Sequence, residues 1–259
     1  KMKNLQDHVV IVTGGAAGIG GSITRELVER GASVVAVDIN EEAGKQIEAQ
    51  NQGKVIFLKG DVSKEEVAKE AVQTAVSKFG KLSGLVNNAH ASRQKPLNEL
   101  TEEDWSLSFG TGFNATLNFM KAAYQDLKKN KGAIVNFGSG AALRGSKFQA
   151  SYAAAKEAIR GLSRVAANEW ADDGIRVNMV CPIALTEGVQ KWKEGFPDEY
   201  EKAVSQIPLQ RFGDPQKDIA PIVAFLLGED SRYMTGQMLM ADGGDIKLTD
   251  SPDRLDMEI

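Results

Sequence analysis

The sequence contains a single cysteine, Cys181, in 259 residues. It can therefore form no internal disulfide and no cysteine-based zinc cluster, which suits a reducing compartment. The longest apolar run, residues 222–227, is far below the roughly 20 residues of a membrane span. The start, Lys1-Met2-Lys3, leads into no apolar stretch of signal-peptide type. A dominant charge is missing too: 31 basic and 35 acidic residues leave a net charge of −4, so no basic field invites nucleic acid or an anionic membrane. Most of that acidity sits in a polar tail, residues 245–259. The absences predict a cytoplasmic protein with no nucleic-acid or membrane partner and no metal.

What is plentiful is glycine, with 26 residues, about a tenth of the chain against a usual ~7%. No G-X-Y period accompanies it, which excludes collagen, and 42% hydrophobic with 25% charged residues is ordinary for a globular chain. Residues 8–13, 33–38, 55–58, 85–86, 133–137, 176–180 and 237–240 read as strands. They are rich in Val and Ile without polar alternation, as expected for strands buried on both faces of a parallel sheet. Helical patterns lie between them. Ser63 with Glu66 and Thr101 with Asp104 read as capping boxes, and Asp214-Pro215 reads as a helix start. The predicted fold is α/β: a single domain over residues 1–259 with a doubly wound parallel sheet, the Rossmann fold. The rhythm lapses only after the sixth strand, at about 183–213, where Trp192 and Phe196 stand among charges. That insert reads as a lid over a substrate pocket.

The turn Thr13-Gly14-Gly15-Ala16-Ala17-Gly18-Ile19-Gly20 follows the first strand and opens a helix. Its glycines allow close approach of a pyrophosphate to backbone N–H groups at a helix N-terminus. Asp38 ends the second strand, where a carboxylate accepts from both ribose hydroxyls of an adenosine and repels a 2′-phosphate. Neither Ala17, Ile39 nor Asn40 offers a cation for that phosphate, so the predicted cofactor is NAD. A helix N-cap is the competing role for Asp38, and the two are compatible. Tyr152 and Lys156 lie one turn apart on a helix over 150–170. An ammonium there favours the phenolate, making Tyr152 a general base for an alcohol or acid for a ketone. Ser139, thirteen residues upstream and just past a strand, can donate to the same substrate oxygen.

Together with Asp61-Val62, Asn87-Asn88-Ala89, residues 175–178, Pro182 and Asp242-Gly243-Gly244, these motifs resemble the short-chain dehydrogenase/reductase family over most of the chain. The likeness is to its 3-oxoacyl reductase/alcohol dehydrogenase branch. The resemblance implies hydride transfer between NAD(H) and a secondary alcohol or ketone, a small-molecule substrate, and a homotetramer built on long helices that include 101–129 and 150–170. It implies catalysis by Ser139, Tyr152 and Lys156. It also implies cofactor contacts from Gly14, Ala17, Gly18, Ile19, Gly20, Asp38, Ile39, Asp61, Val62, Asn88, Tyr152, Lys156, Pro182 and Thr186, with Asn87 ordering its strand. Three positions depart from the family pattern. His90 stands for the usual Gly, Gly112 for the usual proton-relay Asn, and Ile183 for the Gly after Pro182. His90 either contacts substrate or is a satisfied structural histidine. With Ser139, Gln149 and Trp192 it makes the candidate substrate set, and Arg93 and Arg144 suggest a polar or anionic substrate. The competing reading, prompted by His90 and Gly112, is a catalytically weak NAD-binding sensor or scaffold.

Overall fold

The computed structural model describes residues 4–246; the polar tail from residue 247 onward lies outside them. Seven strands form one all-parallel sheet in the order β3-β2-β1-β4-β5-β6-β7. They are β1 (Val9–Thr13), β2 (Ser33–Asp38), β3 (Val55–Lys59), β4 (Gly84–Asn87), β5 (Ala133–Phe137), β6 (Arg176–Pro182) and β7 (Met238–Ala241). Both faces are covered, which accounts for the unbroken apolar runs. Val10, Val12, Val34, Ala36, Val86 and Val135 pack on one side with Ile23 and Leu27 of α1 (Gly18–Glu29) and the apolar helix α10 (Ala220–Leu227). Val9, Ile11, Val35, Leu85, Ile134 and Val177 pack on the other. There they meet α3 (Glu65–Phe79), α5 (Ala115–Asn130) and α7 (Ala150–Glu169). The remaining helices are α2 (Glu41–Gln50), α4 (Glu102–Ser108), α6 (Gly140–Arg144), α8 (Glu187–Gly195) and α9 (Pro197–Gln206). Among the described residues no helix is long and apolar enough to cross a membrane.

The Thr101/Asp104 capping box forms in full, and Asp214 receives the amides of Gln216 and Lys217. Ser63 and Glu66 do not form the box expected of them. Helix α3 starts later, at Glu65, with Lys64 at its N-cap, and the Ser63 amide is already donated to Asp61 Oδ1 at 2.9 Å. The acidic first turn, Glu65 and Glu66, complements the helix dipole there. The helix expected over 101–129 is also interrupted. A wider π-helical turn, Phe109–Asn114, separates α4 from α5, a distortion that often marks functional sites.

Candidate active site

The order of the sheet places β1 at the switch point, with β2 and β3 on one side and β4 onward on the other, so a crevice opens above the C-terminal ends of β1 and β4. The glycine turn forms its floor. A Cβ at Gly20 would lie 1.9 Å from the Gly14 carbonyl oxygen, so only glycine lets α1 begin this close to the turn. Thr13 Oγ1 accepts the amides of Asn88 and Ala89 at 3.0 and 3.1 Å, and Asn88 Nδ2 donates to the Thr13 carbonyl at 3.1 Å. The β1 and β4 loops are thereby tied together. Ala17 and Gly18 stand exposed at the N-terminus of α1.

Asp38 lies against this turn: Oδ2 accepts from the Ala16 amide at 3.1 Å and Oδ1 from the Asn40 amide at 3.0 Å. The cap of α2 is Asn40, whose side chain accepts from Ala43, so Asp38 is not the helix cap. Each Asp38 oxygen keeps acceptor capacity for a further donor. A cleft of about 550 Å³ brings together Gly14, Ile19, Asp38, Ile39, Asp61, Val62, Asn88, His90 and Thr186. Ile39 is 71% exposed on its rim. The Asp61 carboxyl is held below its ordinary range by hydrogen bonds from Ser63. Thr186 caps α8 by accepting the Val189 amide. Pro182 ends β6 beside Ala241.

Ser139 immediately precedes α6, past the end of β5, and Tyr152 and Lys156 project from α7. The Lys156 ammonium is buried, donates to the Phe137 carbonyl at 3.2 Å and sits 5.6 Å from the centre of the Tyr152 ring. Burial pulls its pKa down from 10.5 to about 8. The Tyr152 phenol is pushed above its usual value, first by burial; hydrogen bonding with Ser139 acts in the opposite direction. The expectation that Lys156 brings the phenol down is therefore not met: the ammonium is engaged on a backbone carbonyl and desolvation dominates. The single thiol, Cys181, is buried and pushed up to about 11.

His90 stacks on Tyr152, with ring centroids 4.8 Å apart and planes 25° from parallel, and pairs with Ser108 Oγ through Nε2 at 2.9 Å. Trp192 and Gln149 are not brought into the cleft. Trp192 packs edge-on against Tyr200, which stacks on Phe212, so these aromatics fasten the segment after β6 to its own return. Gln149 precedes α7 and uses its carbonyl on the Ala153 amide. Arg93 and Arg144 are paired with Asp104 and Asp245, so neither is a free cation for an anionic substrate. Ile183 donates its amide to Ala241 and accepts from Gly213, pinning both ends of the 183–213 segment together.

Three supporting groups had no reading from sequence. Buried Asn136 accepts from Asn87 at 2.8 Å and donates to Ser163 at 2.9 Å, bolting β4 and β5 to α7 behind the site. Thr111 Oγ1 accepts the Ala91 amide at 2.9 Å. Ser108 joins His90 to α7. The one sequence signal was Asn136 itself, a polar residue inside an apolar strand.

Residues 14–245 match the family model described as enoyl-(acyl carrier protein) reductase. A 12alpha-hydroxysteroid dehydrogenase from a Clostridium species is 42% identical over 247 residues, covering 91% of this chain and 95% of that protein. A 3-oxoacyl-[acyl-carrier-protein] reductase from Chlamydia muridarum is 37% identical, covering 93% and 98%. The solved structure of a short-chain dehydrogenase/reductase from Brucella melitensis, described as a glucose/ribitol dehydrogenase, superposes with a TM-score of 0.88 at 28% identity, covering 95% of this chain and all of that one. With the fold and the crevice in place, these likenesses make the chain a member of the short-chain dehydrogenase/reductase family, an oxidoreductase acting on alcohol and ketone groups with a nicotinamide cofactor.

Proposed function

We propose that the protein is an NAD-dependent secondary-alcohol dehydrogenase/carbonyl reductase in which Tyr152 is the general acid/base. The observation that carries this is the gathering of Ser139, Tyr152 and Lys156 around one buried phenol, beside a cleft that ends at the Asp38 carboxylate. The residues fit the cofactor. The exposed N-terminus of α1 offers backbone N–H groups to a pyrophosphate, and the turn under it has no room for a Cβ at Gly20. Asp38 would hold the adenosine ribose, Asp61 and Val62 would flank the adenine, and Asn88, Pro182 and Thr186 would lie along the rest of it. When bound, the nicotinamide supplies or accepts the hydride.

The protein's own part is the proton. A phenol held above its usual pKa stays protonated at neutral pH, so Tyr152 can donate to a ketone oxygen while the Ser139 hydroxyl hydrogen-bonds to that same oxygen. Oxidation needs Tyr152 deprotonated, so it gains as pH rises while reduction declines. Lys156, a cation below about pH 8 and 5.6 Å from the ring, would offset part of the cost of negative charge that develops on the phenol oxygen during proton transfer.

The preference for NAD rests on Asp38, whose carboxylate stands where a 2′-phosphate would fall and is followed by Ile39 and Asn40; Lys59, its register partner on β3, is occupied by Glu41 at 2.7 Å. A homotetramer is supported by half-exposed Trp105, Phe109 and Phe113, which form an aromatic row along α4 and the π-helical turn. The single cysteine supports a cytoplasmic setting. The testing experiment is a panel of secondary alcohols and ketones, including a 12α-hydroxysteroid, assayed with NAD and NADP separately alongside Tyr152→Phe. Turnover with NAD that is lost in Tyr152→Phe is expected. Full activity in Tyr152→Phe would remove the assignment.

A further inference from the structure

Gly112 and His90 belong to different elements, the π-helical turn and the loop after β4, yet they share one space. A Cβ at position 112 would lie 2.8 Å from both Cε1 and Nε2 of the imidazole, so the ring can sit there only because residue 112 is glycine. The ring's two attachments lead to Tyr152 and to the residue just before it. Its face stacks on the Tyr152 ring at 4.8 Å. Its Nε2 meets Ser108 Oγ at 2.9 Å, and Ser108 donates to the carbonyl of Ser151, the residue just before Tyr152, at 3.0 Å. A serine hydroxyl has one proton, and here it is given to that carbonyl, so Ser108 accepts from His90 and Nε2 carries the imidazole proton. Nδ1 is then a bare acceptor, buried and without a partner.

We propose that His90 is a positioning residue that clamps Tyr152 from two sides, its ring by stacking and the preceding Ser151 carbonyl through Ser108, in a space kept open by Gly112. This rests on Tyr152 being the acid/base. The groups facing the phenol are Lys156 on its own helix, Ser139 after β5, Cys181 on β6 and the imidazole after β4. Only His90 lies flat on the ring. Burial, with Lys156 nearby, keeps the imidazole neutral, its pKa lowered to about 3. It therefore adds no charge to the site; it keeps water off the phenol and fixes its direction. A dry phenol holds its proton more tightly, so the clamp also sets the pH at which Tyr152 releases it.

The experiment is a double-mutant cycle between His90→Gly and Gly112→Ala, read by the pH profile of alcohol oxidation and by ultraviolet titration of tyrosinate in the cofactor-free protein against Tyr152→Phe. His90→Gly is expected to lower the Tyr152 midpoint by about one pH unit, roughly tenfold in proton affinity. Gly112→Ala should reproduce that shift by displacing the ring, and should add nothing once His90 is already Gly. His90→Phe, which keeps a ring against Tyr152, should restore most of the midpoint. Equal, additive effects of the two substitutions, or a midpoint unmoved in His90→Gly, would overturn the clamp. Imidazole nitrogen spectra of a His8→Gln variant give a check independent of turnover. Protonated Nε2 is expected and protonated Nδ1 would refute it. If Tyr152→Phe stays active while the tyrosinate midpoint still follows His90, the failure lies with the catalytic assignment and not with the clamp.

Discussion

Replacing Lys156 by methionine should make the ligand-free protein more stable while removing its activity. The ammonium is buried and its pKa falls from 10.5 to about 8. At 1.36 kcal/mol for each tenfold change in proton affinity, that is a penalty of roughly 3 kcal/mol for keeping the charge folded at neutral pH. Methionine has similar length and no charge, but it leaves the Phe137 carbonyl without this donor, which costs about 1–2 kcal/mol. The net expectation at pH 7 is a gain of about 1–2 kcal/mol, a rise in Tm of about 3–6 °C for a chain of this size. The sign depends on pH. Below about pH 8 the lysine is charged in both folded and unfolded states, so the wild type bears the whole penalty. Between about 8 and 10.5 the folded lysine loses its proton while the unfolded one keeps it, so wild-type stability rises with pH. The variant's advantage should therefore shrink across that window and end as a small deficit.

The assay is urea unfolding of both cofactor-free proteins at pH 7, 8.5 and 10, with m-values compared so that midpoints report stability alone. A variant less stable at pH 7, or a difference that stays constant with pH, would refute the reasoning.

Asp38→Ala should weaken NAD binding at least about tenfold, the loss of charge-assisted hydrogen bonds, and narrow the preference over NADP in cofactor titrations. Gly20→Ala should disable cofactor binding far more than Gly18→Ala. The first puts a Cβ 1.9 Å from the Gly14 carbonyl, whereas a Cβ at Gly18 meets nothing within 4 Å and is opposed only by a left-handed backbone, φ 58°, that costs about 1–2 kcal/mol. Calorimetric titration of both variants checks the contrast. Phe148 adopts φ 67° and is 55% exposed, so Phe148→Asn should raise stability by about 0.5–1 kcal/mol in thermal unfolding. Cys181, buried and pushed up to about 11, should react with alkylating reagents only after denaturant is added, as mass spectrometry would show.

The fold was legible because two-sided burial leaves a plain mark: strands such as Val9–Thr13 carry apolar residues at successive positions, and only a sheet covered on both faces needs that. The glycine turn, Asp38 and the Tyr152/Lys156 pair were legible because each role demands a particular residue at a short, fixed spacing. What sequence did not reveal depends on three-dimensional partners. Ser63 competed for two hydrogen bonds, and the Asp61 turn took it from the helix cap. Arg93 and Arg144 looked free until Asp104 and Asp245, eleven and 101 residues away, proved to neutralise them. Trp192 looked like a pocket wall, but packing with Tyr200 turned it inward on the lid. His90 and Gly112 appeared as two separate departures from a pattern, and only their 2.8 Å approach makes them one.

Unsatisfied and buried polar groups gather around Tyr152. Away from the crevice, buried charges are satisfied: Asp104 by Arg93 and Lys95, Glu26 by Arg30. The buried amide of Asn136 is satisfied by Asn87 and Ser163. Around Tyr152 the pattern reverses. Among the described residues, the buried side-chain polar atoms without a partner are His90 Nδ1, whose ring lies on Tyr152, and Ser151 Oγ, on the neighbouring residue. Lys156 is buried as a cation one turn further on. Each feature costs about 1–3 kcal/mol. Their concentration on one side chain means the rest of the fold supplies the stability that this tyrosine's surroundings consume. Replacing the buried Lys156 ammonium should therefore raise stability while it lowers turnover.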